Sequence, residues 1–180
     1  MKKDLFVKFL GVILIFIILV TWFYPYSFFS FNKSITYDED NLVIKDYLKE
    51  IDDFKKYYNS QTKEDLTNNR TQFILQMYEQ DWLISKKPIK IKYQDLDKIL
   101  LEVKESRQIM MDLAFQETYS KDSKEFLKYA IESCITIENS IEELKHSKYH
   151  SRKTINRQFR NIHRSIIGNF DLFVTFYTRR

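Results

Sequence analysis

LFVKFLGVILIFIILVTWF, residues Leu5–Phe23, carries Lys8 as its only charge. Nineteen helical residues at ~1.5 Å each measure ~28 Å, close to the ~30 Å hydrocarbon thickness of a bilayer. No other stretch of the chain is comparably apolar. The reading is one membrane-spanning helix, with about 150 residues of polar chain beyond it. A lipoprotein would need a cysteine just after the apolar run, and the single cysteine is Cys134. A cleaved signal would place small residues at positions −3 and −1 of its cleavage site. Here the run passes into Trp22, Phe23, Tyr24, Pro25, Tyr26, Ser27, Phe28 and Phe29. That cluster suits an interfacial aromatic belt and an uncleaved anchor.

Charge near the span gives an orientation. Lys2, Lys3 and Lys8 stand on its N-terminal side against Lys33 on the other, and acidic residues weigh little in this bias. Residues 1–4 are therefore expected as a short cytoplasmic tail and 5–24 as a transmembrane signal-anchor. Residues 25–37 then form an aromatic juncture, and 38–180 an extracytoplasmic helical bundle in the cell membrane's outer space.

Two Gly and two Pro leave little turn chemistry, which argues against an all-β fold and against Gly-rich phosphate loops. Charged residues at 30% and hydrophobic ones at 44% suit amphipathic helices. The Ile, Lys, Asn, Phe and Tyr bias points to an A/T-rich bacterial genome. One cysteine allows no intramolecular disulfide. Cys134 falls on a stripe with Leu127, Ala130, Ile131, Ile137 and Ile141 and reads as a small buried hydrophobe.

Beyond residue 37 apolar residues recur at three and four, the helical signature. Helices are expected over 38–59, 62–86, 93–119, 122–147 and 151–178, with Ile89–Tyr93 extended. Thr62 with Asp65, and Asp122 with Glu125, have the spacing of N-terminal caps. The fold class is all-α, a transmembrane helix followed by an antiparallel bundle of four to five amphipathic helices. Phe159 and Ile162 sit at the centre of the last helix's apolar stripe, which makes them core residues.

Residues for chemistry are sparse. His146 and His150 are four apart, with Glu142 and Glu143 a turn earlier, but the glutamate that follows the first histidine in helical zinc proteases is missing. They read as solvated helix-end residues, and His163, set among arginines, as an exposed one. Asp52–Asp53, Glu142–Glu143 and Asp95 with Asp97 have spacings that do not face each other on a helix. No catalytic residue, metal ligand or cofactor signature emerges, so the chain is expected not to be an enzyme.

Charge partition exceeds background. Residues 145–180 hold nine Lys and Arg against Asp171 alone, whereas residues 34–144 hold 16 against 23 acids. Lys153, Arg157, Arg160 and Arg164 repeat at four, three and four, two positions behind Ile155, Phe159, Ile162 and Ile166. Two positions are about 200° around a helix, so the basic stripe lies opposite the apolar one. It is the candidate contact surface, weighed against a merely solvated face. The expected partners are the membrane itself, through one span, and a protein; an anionic lipid or cell-wall polyanion is a further candidate. Nucleic acid is disfavoured on the outer side of a membrane. The expected function is a non-catalytic binding or scaffold protein of a bacterial envelope complex. The alternatives are a membrane-anchored sensor or immunity protein that captures a ligand or toxin, and third a membrane-bound hydrolase or metal enzyme.

Overall fold

Apolar residues spaced at three and four do build amphipathic helices, described by the computed structural model for residues 2–62 and 64–180. Met1, Lys63 and the side chains of Lys2 and Lys3 lie outside the described residues, so the charge count on those lysines stays a property of the sequence. The first helix, α1, runs Lys2–Phe23. It is long and apolar enough to cross a membrane, and none of its apolar window is buried against the rest of the chain.

The bundle consists of α2 (Asn41–Asn59), α3 (Leu66–Tyr78), the one-turn α4 (Asp81–Ile84), α5 (Asp95–Gln116), α6 (Lys121–His146) and α7 (Arg152–Arg179). Two short strands, β1 (Ser34–Tyr37) and β2 (Ile89–Lys92), pair antiparallel with Ser34 opposite Lys92 and Tyr37 opposite Ile89. Contacts at opposite helix ends fix the directions. Tyr93, just before α5, donates to the Lys145 carbonyl at the end of α6 (2.9 Å). Ser123, at the start of α6, donates to the Arg179 carbonyl at the end of α7 (2.6 Å). Consecutive long helices are thus antiparallel. The pair α2 and α7 runs parallel instead: Tyr47 meets Phe170, and Phe54 meets Tyr177 a turn or two later on both.

α7 is the central element. Ile155, Phe159, Ile162, Ile166, Phe170, Phe173, Phe176 and Tyr177 are all buried along it. Edge-to-face ring contacts with Tyr47, Phe54 and Tyr78 add to the area that these side chains remove from water. Cys134 is fully buried on α6, and burial pushes its thiol up to about 12. Asn169 holds three elements together inside this core. It accepts from the Tyr78 hydroxyl (2.6 Å), donates to the Ala130 carbonyl (2.7 Å) and touches the Cys134 sulfur.

Three local expectations are corrected. The helix expected over 62–86 is split into α3 and α4, because the backbone leaves helical geometry at Glu79 and is extended at Gln80 (φ −61°, ψ 135°); the Tyr78 carbonyl at this break accepts from the Tyr47 hydroxyl (2.9 Å). Its N-cap is Asp65 itself, extended in backbone and accepting from the Asn68 amide (2.8 Å), with no part played by Thr62. Likewise α6 is capped by Ser120, accepting from the Ser123 amide (3.2 Å), and Asp122 lies inside the first turn.

Candidate contact surface

α7 is capped by Ser151, whose hydroxyl accepts from the Thr154 amide (3.3 Å) and satisfies one of the free amides of the first turn. Along the helix Lys153, Arg157, Arg160 and Arg164 are exposed while Ile155, Phe159, Ile162 and Ile166 are buried. The four candidate residues therefore share one outward face. They are not equivalent. Arg160 Nε lies 3.6 Å from Glu39 Oε2, with its own side chain 49% exposed and that of Glu39 only 4% exposed. Lys153, Arg157 and Arg164 have no ion-pair or hydrogen-bond partner among the described residues.

Behind Arg160 lies a polar cluster that the sequence reading misplaced. His163 is fully buried, not exposed. It is four residues after Phe159 and three before Ile166, which puts it on the apolar stripe despite its basic neighbours. The Tyr37 hydroxyl donates to Glu39 Oε2 (2.5 Å) and stands 2.9 Å from His163 Nδ1. A hydroxyl has one proton to give. With that proton on Glu39, the Tyr37 oxygen accepts from Nδ1–H, which assigns the neutral tautomer protonated at Nδ1. Nε2 is then a buried acceptor with no partner among the described residues. Tyr37, Tyr47 and Trp82 put their rings 5.7–6.5 Å from the imidazole. Burial lowers the His163 pKa, against the pull of the Glu39 charge, and Arg164 lowers it further. Burial and the bond to Glu39 push the Tyr37 phenol up. The hydroxyl sits between carboxylate and imidazole, and both flanking groups are closed off from solvent. The arrangement clasps β1 to α7.

The remaining polar candidates have local duties. His146 Nδ1 meets the Glu142 carbonyl (2.7 Å) at the end of α6, and His150, beyond that helix, meets Gln158 Oε1 (3.2 Å). Asp53 pairs with Lys56, and Asp97 and Glu142 both pair with Lys145. Asp95 accepts from the Lys92 amide (2.7 Å) where β2 turns into α5. Among the described residues no group of three or more His, Cys, Asp or Glu is placed to hold a metal ion.

Arg152, which the stripe reading left out, is the residue that ties α7 to α1. Its Nε donates to the Trp22 carbonyl (2.8 Å) and its guanidinium lies 5.4 Å from the centre of the Trp22 ring. Between the end of α1 and the start of α7 this leaves an open groove of about 910 Å³, which Lys153, Arg157 and Arg160 line from the α7 side. Only its position next to an N-cap distinguished Arg152 in the sequence, since its partner is 130 residues away. No protein-family model, curated protein or solved structure matches this chain.

Proposed function

We propose that this protein is a single-pass, membrane-anchored binding or scaffold component of a bacterial envelope complex, acting without catalysis. In this reading α1 is the anchor, its N-terminus is cytoplasmic, and the bundle stands on the outer side. The α7 stripe receives an acidic partner surface. The observation that carries the proposal is the state of Lys153, Arg157 and Arg164. These three cations are exposed on one face and unpaired among the described residues, while Arg107, Lys145 and Arg160 each hold an acid. A positive face of this kind steers and orients an anionic partner, and its effect weakens with salt. The unburied apolar surface of α1 supports the anchoring half.

The test is charge reversal at the three unpaired positions, Lys153→Glu, Arg157→Glu and Arg164→Glu together. Arg160 is left alone, because a glutamate there would face buried Glu39. Cross-linking in intact cells should recover a protein partner with the wild type and lose it with the triple variant, whose melting temperature stays within a few degrees. Recovery of the same partner by both proteins would remove the stripe from the proposal. Added protease should reach the bundle in intact cells; protection until lysis would reverse the orientation.

A further inference from the structure

The end of α1 and the start of α7 are fixed to each other by more than the covalent chain. Helix C-terminal carbonyls lack intrahelical partners and carry partial negative charge. The Arg152 guanidinium answers both, donating to the carbonyls of Trp22 (2.8 Å) and Thr21 (3.4 Å). The Phe31 amide donates to the Thr21 hydroxyl (3.0 Å), so the chain leaving α1 doubles back to the level of its last turn. On this returning chain Phe28, Phe29 and Phe31 are exposed, Phe31 by 93%, and Tyr149, three residues before Arg152, is exposed by 88%. Bare aromatic rings beside the end of an apolar helix have the composition of a headgroup-level belt.

The groove of about 910 Å³ opens at this same level. Trp22 and Phe23 form its apolar side; Lys153, Arg157 and Arg160 form its basic side. No acidic side chain is among its described lining residues. Its size falls within the ~300–1,000 Å³ of small-molecule sites. Apolar surface against several cations, at the depth where a bilayer's phosphates lie, fits an amphiphile with an anionic head. We infer that the groove seats the phosphate of an anionic phospholipid from the leaflet at the C-terminal end of α1. Lys153 and Arg157, both unpaired, supply charge-assisted hydrogen bonds to the phosphate. Trp22 and Phe23 pack on the glycerol backbone and the first acyl carbons. The inference rests on α1 spanning a membrane, and it shares Lys153 and Arg157 with the proposed partner surface while leaving Arg164 to that surface alone.

The test uses the full chain in a neutral detergent, titrated with phosphatidylglycerol, phosphatidylcholine of the same acyl chains, and glycerol 3-phosphate. Bound molecules are counted by native mass spectrometry. Phosphatidylglycerol should bind at one equivalent and about tenfold more tightly than phosphatidylcholine, as expected for one to two cations near a phosphate. Lys153→Gln with Arg157→Gln should bring the two lipids within about twofold without moving the melting temperature of the lipid-free protein. Arg164→Gln, outside the groove, should keep the preference. Equal binding of the two lipids by the wild type overturns the inference, as does loss of preference in Arg164→Gln equal to that in the double variant. Glycerol 3-phosphate binding as tightly as the lipid would identify a free phosphate ester as the ligand and overturn the lipid assignment. Alkaline carbonate extraction of native membranes tests the anchor separately. Release of the protein there removes both readings, whereas an anchored protein without lipid preference removes this one alone.

Discussion

α1 and α7 are both longer than twenty residues, and they meet the cost of apolar surface in opposite ways. α7 buries its apolar side chains on one stripe against α2, α3, α6 and β1, and turns its cations outward. α1 is apolar all round and buries none of its apolar window in the protein. A helix of the first kind takes its environment from the chain; a helix of the second kind needs one from outside it. The lesson is that overall apolarity and its angular distribution separate these helices together: only α1 is apolar enough along its length to cross a membrane, and only α7 confines its apolar residues to one stripe.

The largest test of this contrast is truncation of one phenylalanine in each helix. Phe159→Ala removes a fully buried ring touching Tyr37 and Trp82. It should cost about 3–5 kcal/mol, a large share of a domain's stability. Phe16→Ala removes a ring that is exposed on α1 and should change bundle stability by no more than about 0.5 kcal/mol. Urea unfolding of the detergent-solubilised protein, followed by near-UV dichroism, measures both. Equal losses would show that α1 packs on the bundle and would dissolve the contrast.

A second difference is that α7 carries polar groups into its core. Asn169→Leu should cost about 1–3 kcal/mol, because the fully buried Tyr78 hydroxyl loses its acceptor. Near-neutral stability for this variant in the same unfolding assay would mean that the Tyr78 hydroxyl finds another acceptor, and that the Asn169 network is not what joins α3, α6 and α7.

Much of this contrast was legible in the sequence. The apolar run of Leu5–Phe23 and the three-four spacing from Ile155 to Phe173 gave helix type and the all-α bundle directly, since both are repeats within one element. What was not legible depends on partners far along the chain. Ile89–Lys92 read as extended, but its partner Ser34–Tyr37 offers only Ile35 and Tyr37 as alternating apolar residues and fell inside the presumed juncture. The break between α3 and α4 falls at the extended Gln80, where no proline or glycine announces it. His163 was misread because Arg160 and Arg164 flank it, although its spacing from Phe159 and Ile166 already placed it inside. On the candidate surface, the four stripe residues share a face as spacing required. The pairing of Arg160 with Glu39 and the role of Arg152 needed the folded chain.

His163 gives the polar core of α7 a pH signature that α1 lacks. Its charged form is disfavoured by burial among Tyr37, Tyr47 and Trp82, with Glu39 favouring that form and Arg164 opposing it. A folded-state pKa below the unfolded one means that the unfolded chain binds the proton first. Stability is therefore complete above the ordinary histidine pKa of 6.5 and is lost as pH falls through it toward the lowered folded value. Glu50 and Asp171, whose carboxyls are raised by burial, act in the opposite sense, so the histidine contribution is isolated by substitution. Unfolding midpoints at pH 7.5 and 5.5 should differ in the wild type, and the difference should shrink in His163→Gln. An undiminished pH dependence in that variant would assign it to other groups.

The smallest expected effect falls on the seam between the two helices. Arg152→Ala leaves the Thr21 and Trp22 carbonyls without their guanidinium and removes its contact with the Trp22 ring. The site is near the surface, so the loss is about 1 kcal/mol, the net worth of one hydrogen bond. That is about a fivefold faster amide exchange wherever local opening depends on it. The Tyr24 amide, bonded to the Val20 carbonyl, and the Phe31 amide, bonded to Thr21, are the reporters at the seam. Amides around Phe170 should keep their exchange rates, because no contact of Arg152 reaches that far along α7. Faster exchange at both ends would mean that Arg152 supports the whole bundle. Unchanged exchange at Tyr24 and Phe31 would mean that α1 and α7 are joined by the covalent chain alone, and the groove between them would have no fixed shape to recognise a headgroup.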